Sequence, residues 1–141
     1  MTVQTNLQIT GVLLIALGLA HGFFNRYFGW TAETQRLTLF TRQVFHVHCF
    51  FIAIVLILTG ALSTFYADEL LRPTPLSRVL LAGLAIFWIL RLATQWLVYD
   101  SRIWRGSPFL TVMHYLFSGF WIYVAGTYVS AWRAAGNPGL R

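Results

Sequence analysis

The chain has 141 residues, of which 57% are hydrophobic, 17% are aromatic and only 10% are charged. Because soluble domains carry about 25% charged residues, this composition excludes an ordinary water-soluble fold and indicates a membrane protein. The net charge of +6 comes from ten arginines without any lysine, which is typical of loops that contact anionic headgroups. No connecting loop is long enough to form the basic, aromatic-bearing surface of a nucleic-acid-binding protein.

Four apolar segments follow one another along the chain, at about residues 9–28, 39–65, 76–99 and 109–132. Each has the ~20 residues that a helix needs to cross a hydrocarbon layer about 30 Å thick. The short connections make successive spans run in opposite directions and leave no room for a second domain. We therefore predict one all-α membrane domain over residues 1–141, with four transmembrane helices in an up-and-down bundle, located in a bacterial inner membrane.

The residue types that are missing from the spans exclude several classes of membrane protein. All four acidic residues lie outside the spans, which argues against a carboxylate-bridged di-metal oxygenase and against a transporter driven through buried carboxylates. Cys49 is the single cysteine, so an intrachain disulfide and a metal site built from several cysteines are excluded.

All four histidines, in contrast, lie inside the spans. They are found near the end of the first span, near the start of the second and near the start of the fourth: His21, His46, His48 and His114. With alternating spans these positions lie on the same side of the membrane, roughly 9 to 14 Å below its surface at about 1.5 Å per residue. A shared depth is what a common site inside the bundle requires.

Helix phase separates these histidines into two groups, because residues three, four and seven apart share a face. The faces of His46 and His114 are small and polar, and His21 shares its face with Gly18. Membrane helices pack against each other, or against flat groups, through such faces. We therefore predict that these three histidines point into one interior. His48 shares its face with apolar residues, which indicates lipid or a partner helix: Phe45, Phe51, Ile52 and Val55.

Two arginines are candidates for holding an anionic ligand such as a propionate or a carboxylate. Arg91 lies within the third span, with Gln95 one turn above it, and Arg42 lies one turn before His46. An arginine at membrane depth costs about 2.5–3.5 kcal/mol on insertion scales and therefore marks a functional site by default. The alternative for Arg91 is that it extends towards the membrane surface and pairs with Asp100.

The first functional hypothesis is a small membrane redox subunit that binds one b-type haem and passes electrons to a quinone or to a partner subunit. His46 and His114 are then the axial ligands, His21 is a supporting or substitute ligand, and Arg42 and Arg91 hold the propionates. In its architecture this arrangement resembles small four-helix b-type cytochromes, through His46, His114 and the up-and-down topology alone.

Two alternatives stay open from the sequence. In the first, His21, His46 and His114 bind zinc, copper or iron directly, and an open coordination position supports catalysis. In the second, the protein is a cofactor-free accessory or assembly subunit of a larger membrane complex, and its polar faces contact other helices. No nucleophile–base pair is visible that would assign an enzymatic reaction.

Overall fold

The computed structural model of the protein describes residues 1–27, 29–100, 102, 104 and 106–137, with the backbone alone at positions 25, 26, 31 and 32. These residues form helices and no strand. The six helices, numbered in chain order, are α1 (Val3–Tyr27), α2 (Trp30–Thr34), α3 (Leu39–Phe65), α4 (Ala67–Leu71), α5 (Pro75–Leu97) and α6 (Pro108–Gly136). The helices α1, α3, α5 and α6 are long and apolar enough to cross a membrane. The predicted class, an all-α integral membrane protein with four transmembrane helices, is confirmed.

α1 and α6 extend beyond the apolar segments that predicted them, and α3 has the predicted bounds. α5 runs over Pro75–Leu97, so it begins just before the predicted span 76–99 and ends before residue 99. α1 begins at Val3, where the hydroxyl of Thr2 accepts a hydrogen bond from the backbone N–H of Thr5 at 3.2 Å. α6 continues to Gly136 through an alanine-rich stretch, and alanine has the highest helix propensity. Hydropathy marks the apolar part of a helix, so it misses polar or small-residue ends. The last residue of the first predicted span, at position 28, lies outside the described residues.

Polar caps and prolines fix where the later membrane helices begin. The hydroxyls of Thr38, Thr74 and Ser107 each accept a hydrogen bond from the backbone N–H three residues further on, at 3.3, 3.1 and 3.5 Å. α5 and α6 begin with Pro75 and Pro108, whose missing N–H would have no partner in the first helical turn in any case. The caps therefore fix the first residue of each of these three helices.

Contacts divide the protein into two compact units. The first, Gln8–Ala67, contains most of α1 and all of α3, and we name it the α1–α3 unit. The second, Met1–Leu7 with Asp68–Arg141, contains α5 and α6, and we name it the α5–α6 unit.

In the α1–α3 unit, glycines allow the two helix backbones to come into contact. A Cβ atom added to Gly60 would lie 2.6 Å from the carbonyl oxygen of Gly11 and 2.9 Å from the backbone nitrogen of Ile15. Real Cβ atoms essentially never lie within 3.0 Å of such atoms. The helices therefore pack at this distance only because both positions lack a side chain, as close packing between membrane helices generally requires.

In the α5–α6 unit, aromatic rings fill the interface between the two long helices. Trp88 of α5 stacks on Trp121 of α6, with ring centroids 5.2 Å apart, and on Tyr128 at 6.5 Å. All three side chains are buried. The hydroxyl of Ser77 donates to the carbonyl oxygen of Glu69 at 2.9 Å, which connects the short helix α4 to the start of α5. This stacked core packs α5 against α6 in a register that places Gln95 of α5 beside His114 of α6.

Candidate functional site

His114 is the most enclosed of the four histidines. It lies six residues after Pro108, about 9 Å from the start of α6, and is 5% exposed. The ring of Trp104 stacks on its imidazole, with centroids 3.9 Å apart and planes 12° from parallel, and Trp96 approaches edge-on at 4.9 Å. The hydroxyl of Thr111 donates to the carbonyl oxygen of Trp104 at 2.7 Å and so holds that residue against α6. The imidazole is therefore enclosed by aromatic rings from both ends of the α5–α6 connection.

A chain of hydrogen bonds leads from Arg91 to this imidazole. Arg91 Nη1 donates to Gln95 Oε1 at 3.1 Å, and Gln95 Nε2 lies 3.1 Å from His114 Nδ1. A guanidinium only donates hydrogen bonds, so the amide oxygen of Gln95 must face Arg91 and its NH2 group must face His114. Nδ1 therefore accepts a hydrogen bond, and the proton of the neutral imidazole is on Nε2. The chain thus assigns the tautomer of His114.

The Nε2 atom that carries this proton is buried and has no hydrogen-bond partner in the described part of the chain. The indole Nε1 atoms of Trp88 and Trp121, in the same helix interface, are likewise buried without an acceptor among the described residues. Each unpartnered buried donor costs about 1–3 kcal/mol. The predicted spans contain no carboxylate, and the described residues leave these three donors of the α5–α6 interface without an acceptor. Its chemistry suits a ligand that carries hydrogen-bond acceptors.

Arg91 adds a positive charge to this donor-rich interface. Its Cζ atom lies 4.7 Å above the centroid of the Trp121 ring, and its Nη1 also reaches the hydroxyl of Thr94 at 3.4 Å. Asp100 is instead paired with Arg102, whose Nε donates to Oδ2 at 2.9 Å and whose backbone N–H donates to Oδ1 at 2.9 Å. The alternative in which Arg91 pairs with Asp100 is therefore wrong.

The pairing also changes the acidity of the carboxyl group beyond the end of α5. The hydrogen bonds from the Arg102 side chain, and then from its backbone, hold the pKa of Asp100 below its usual range. Asp100 is therefore ionised at neutral pH, and it is not suited to carry protons to the α5–α6 interface.

Two histidines of the α1–α3 unit have the opposite tautomer from His114. His21 Nδ1 lies 2.8 Å from the carbonyl oxygen of Leu17, and His48 Nδ1 lies 2.8 Å from that of Val44. A carbonyl oxygen only accepts, so Nδ1 carries the proton and the lone pair of the neutral ring is on Nε2. Metal-binding histidines are held in this way, with the other ring nitrogen donating to a carbonyl or carboxylate. His21 is half-buried and His48 is exposed.

The remaining two predicted site residues, His46 and Arg42, are half-buried on α3. The imidazole of His46 meets the ring of Phe45 edge-on, with centroids 5.6 Å apart. His46 and His21 belong to the α1–α3 unit and His114 to the α5–α6 unit, so the predicted haem ligands come from both. Among the described residues, no three histidine, cysteine or acidic side chains are grouped so that they could hold a metal ion, and the three-histidine metal site has no support there.

The indole donors and the stacking of Trp104 on His114 were not predicted. The orientation of an indole N–H leaves no sequence signal. The position of Trp104 depends on the path of the connection between α5 and α6, which has no periodic pattern. The pair of Arg91 and Gln95 did carry a signal, since residues four apart on a helix are neighbours.

Comparison of the chain with protein-family models, with curated proteins and with solved structures gives no match. The fold and the site therefore define the class by themselves. The protein is an all-α integral membrane protein with a buried, donor-rich histidine site between α5 and α6.

Proposed function

We propose that the protein is a small membrane redox subunit that binds a quinone against the α5–α6 unit, with His114 Nε2 donating a hydrogen bond to a quinone carbonyl. One observation carries this proposal: the buried Nε2–H of His114, whose tautomer follows from Arg91 and Gln95, has no acceptor among the residues described. A quinone supplies acceptors and no donors, which is the complement of this interface.

The physical properties of quinones agree with the surroundings of His114. They are lipid-soluble and planar, so they reach a site at membrane depth and stack on aromatic rings such as Trp104 and Trp96. The positive charge of Arg91 favours electron transfer to a bound quinone, because the added charge develops on the ring oxygens. Two electrons and two protons convert the quinone to a quinol. The electrons come from a partner redox subunit, and the protons come from water at the membrane surface. A bacterial inner membrane, which contains both quinones and such partners, is the proposed location.

Binding of a short-chain ubiquinone to the detergent-purified protein tests the proposal. The readout is quenching of the fluorescence of the six tryptophans. We expect saturable quenching by the native protein and about tenfold weaker binding by His114→Phe, because loss of a buried hydrogen bond of about 1.4 kcal/mol corresponds to that factor. His48→Phe, which removes an exposed histidine of the other unit, should bind like the native protein.

Absence of saturable quenching in the native protein would sink the quinone proposal. An equal loss in His114→Phe and His48→Phe would also contradict it, because the effect would then follow from the loss of any histidine. If a stable membrane partner co-purifies with protein that binds no quinone, the accessory-subunit alternative is favoured instead.

A second candidate keeps the b-type haem, and the tautomer of His21 favours it. Iron requires the lone pair of Nε2, which His21 offers and His114 does not, since the NH2 group of Gln95 faces Nδ1 of His114. In this candidate His46 and His21 are better suited as ligands than the predicted pair of His46 and His114, and Arg42 is the propionate partner. When bound, the haem would supply one-electron transfer towards the quinone.

Absorption spectra of the purified protein, oxidised and then reduced with dithionite, test this candidate. A Soret band and a sharp reduced α band that disappear in His46→Ala and His21→Ala, but persist in His48→Ala, would support it. Loss of the bands in His114→Ala, with retention in His21→Ala, would instead support the originally predicted ligand pair, His46 and His114. A featureless spectrum without bound metal, from cells supplied with ample haem, would remove the haem from the proposal.

A further inference from the structure

The α5–α6 unit has an open cleft at the end where α5 begins and α6 ends. Its volume is about 430 Å³. The residues that line it are Pro73, Pro75, Arg78, Val79, Ala82 and Trp132. None of these residues belongs to the His114 site. Because both helices are membrane spans and the cleft lies at their ends, it is at the boundary between the hydrocarbon layer and water.

Among the described residues that line this cleft, the guanidinium of Arg78 is the only charged group. Its side chain is exposed, and no carboxylate within the described ranges forms an ion pair with it. Glu69, the acidic residue of the neighbouring helix α4, is paired with Arg72 at 2.9 Å instead. The guanidinium rests against Gly136, where an added Cβ atom would lie 3.5 Å from Nε and Nη2. Arg78 thus lies beside the end of α6 while its donors stay available.

The rest of the lining is apolar and suits a lipid. Val79 and Ala82 continue along α5 from Arg78 into the span, and Trp132 of α6 faces the cleft and is 39% exposed. Tryptophan prefers the headgroup level of a membrane, where its ring is apolar and its N–H meets polar groups. The cleft therefore changes from cationic to apolar in the direction in which a phospholipid changes from phosphate to acyl chain.

We propose that this cleft binds an anionic phospholipid, with the phosphate on Arg78 and the upper part of an acyl chain against Val79, Ala82 and Trp132. The inference is independent of the quinone proposal, since it uses other residues and the other end of the two helices.

Native mass spectrometry of the detergent-purified protein with added phosphatidylglycerol tests it. A cationic side chain near an anionic membrane surface contributes about 1 kcal/mol, so Arg78→Gln should weaken the binding of phosphatidylglycerol about fivefold. Arg133→Gln is the matched control, because it removes the same charge from an exposed position in the last turn of α6 that does not line the cleft. The affinity of Arg133→Gln for phosphatidylglycerol should stay within a factor of two of that of the native protein. Phosphatidylcholine should bind more weakly than phosphatidylglycerol to the native protein.

A second variant tests the contribution of the apolar lining of the cleft separately from that of the Arg78 charge. Ala82→Leu adds apolar volume to the lining while Arg78 stays in place, and it should lower the binding of phosphatidylglycerol as well. Equal losses of phosphatidylglycerol affinity in Arg78→Gln and Arg133→Gln, or unchanged affinity in Ala82→Leu, would overturn the proposal. The lipid would then bind through unspecific attraction to a basic protein. Displacement of the lipid by an equal concentration of inorganic phosphate would also overturn it, because the acyl chain would then contribute nothing. Circular dichroism checks that each variant is folded.

Discussion

Alanine in place of Gly60 should lower the free energy of unfolding by about 3 kcal/mol, the upper end of what overpacking costs. The added Cβ would lie 2.6 Å from the carbonyl oxygen of Gly11. That oxygen belongs to the backbone of α1 and cannot rotate away as a side chain can, so the two helices must separate. Gly11→Ala should have a similar effect, because its Cβ would lie 2.6 Å from the carbonyl oxygen of Gly60. Unfolding by SDS in mixed micelles, followed by circular dichroism, measures both.

Gly22→Ala is the control for this prediction. Gly22 lies on the same helix as Gly11, and a Cβ atom added to it meets no atom of the described residues within 4 Å. Because alanine is a better helix former than glycine, the variant should be unchanged or more stable by at most about 1 kcal/mol. If Gly22→Ala destabilised the protein as much as Gly60→Ala does, the contact between the α1 and α3 backbones would not explain the loss.

The fold could be predicted from the sequence to the extent that it depends on local physics. Apolar length locates all four membrane helices, and the bounds of α3 agree with its apolar segment. The short helices α2 and α4 have no apolar signal and were missed. Glycine content alone could not tell Gly60, which lies against another backbone, from Gly119, which has no described neighbour within 4 Å of an added Cβ atom. That difference depends on tertiary packing.

For the candidate site, too, the features that depend on helix periodicity could be predicted from the sequence, and those that depend on tertiary contacts could not. The polar face of His114 and the spacing of Arg91 and Gln95 could be recognised in the sequence, because helix periodicity determines both. The tautomers could not be predicted, since each depends on which atom faces a ring nitrogen: an amide NH2 for His114, and a carbonyl oxygen for His21 and His48. The direction of a single hydrogen bond therefore decides which histidine can donate to a carbonyl and which can bind a metal.

Arg91→Met should weaken the binding of short-chain ubiquinone at least about tenfold while the protein stays folded, which corresponds to a loss of about 1.4 kcal/mol. Arg91 orients the amide of Gln95, and without it the amide can turn and present its oxygen to His114 Nδ1. The proton then moves from Nε2 to Nδ1 in about nine-tenths of the molecules, and the affinity falls in proportion to the fraction that keeps the donor for the quinone carbonyl. The fold should tolerate the change, because removal of an arginine from a membrane span saves about 2.5–3.5 kcal/mol of insertion cost.

The tautomer itself is the more direct readout, because it does not depend on any ligand. Nitrogen NMR of protein labelled with ¹⁵N-histidine distinguishes protonated from unprotonated ring nitrogens, and His114→Phe identifies the signals of His114. We expect a proton on Nε2 in the native protein and a mixture in Arg91→Met. Arg42→Met, which removes the other predicted anion partner from the α1–α3 unit, should leave these signals and the quinone affinity unchanged. A native His114 protonated on Nδ1 would refute the hydrogen-bond chain, and equal effects of the two arginine variants would show that the charge acts without it.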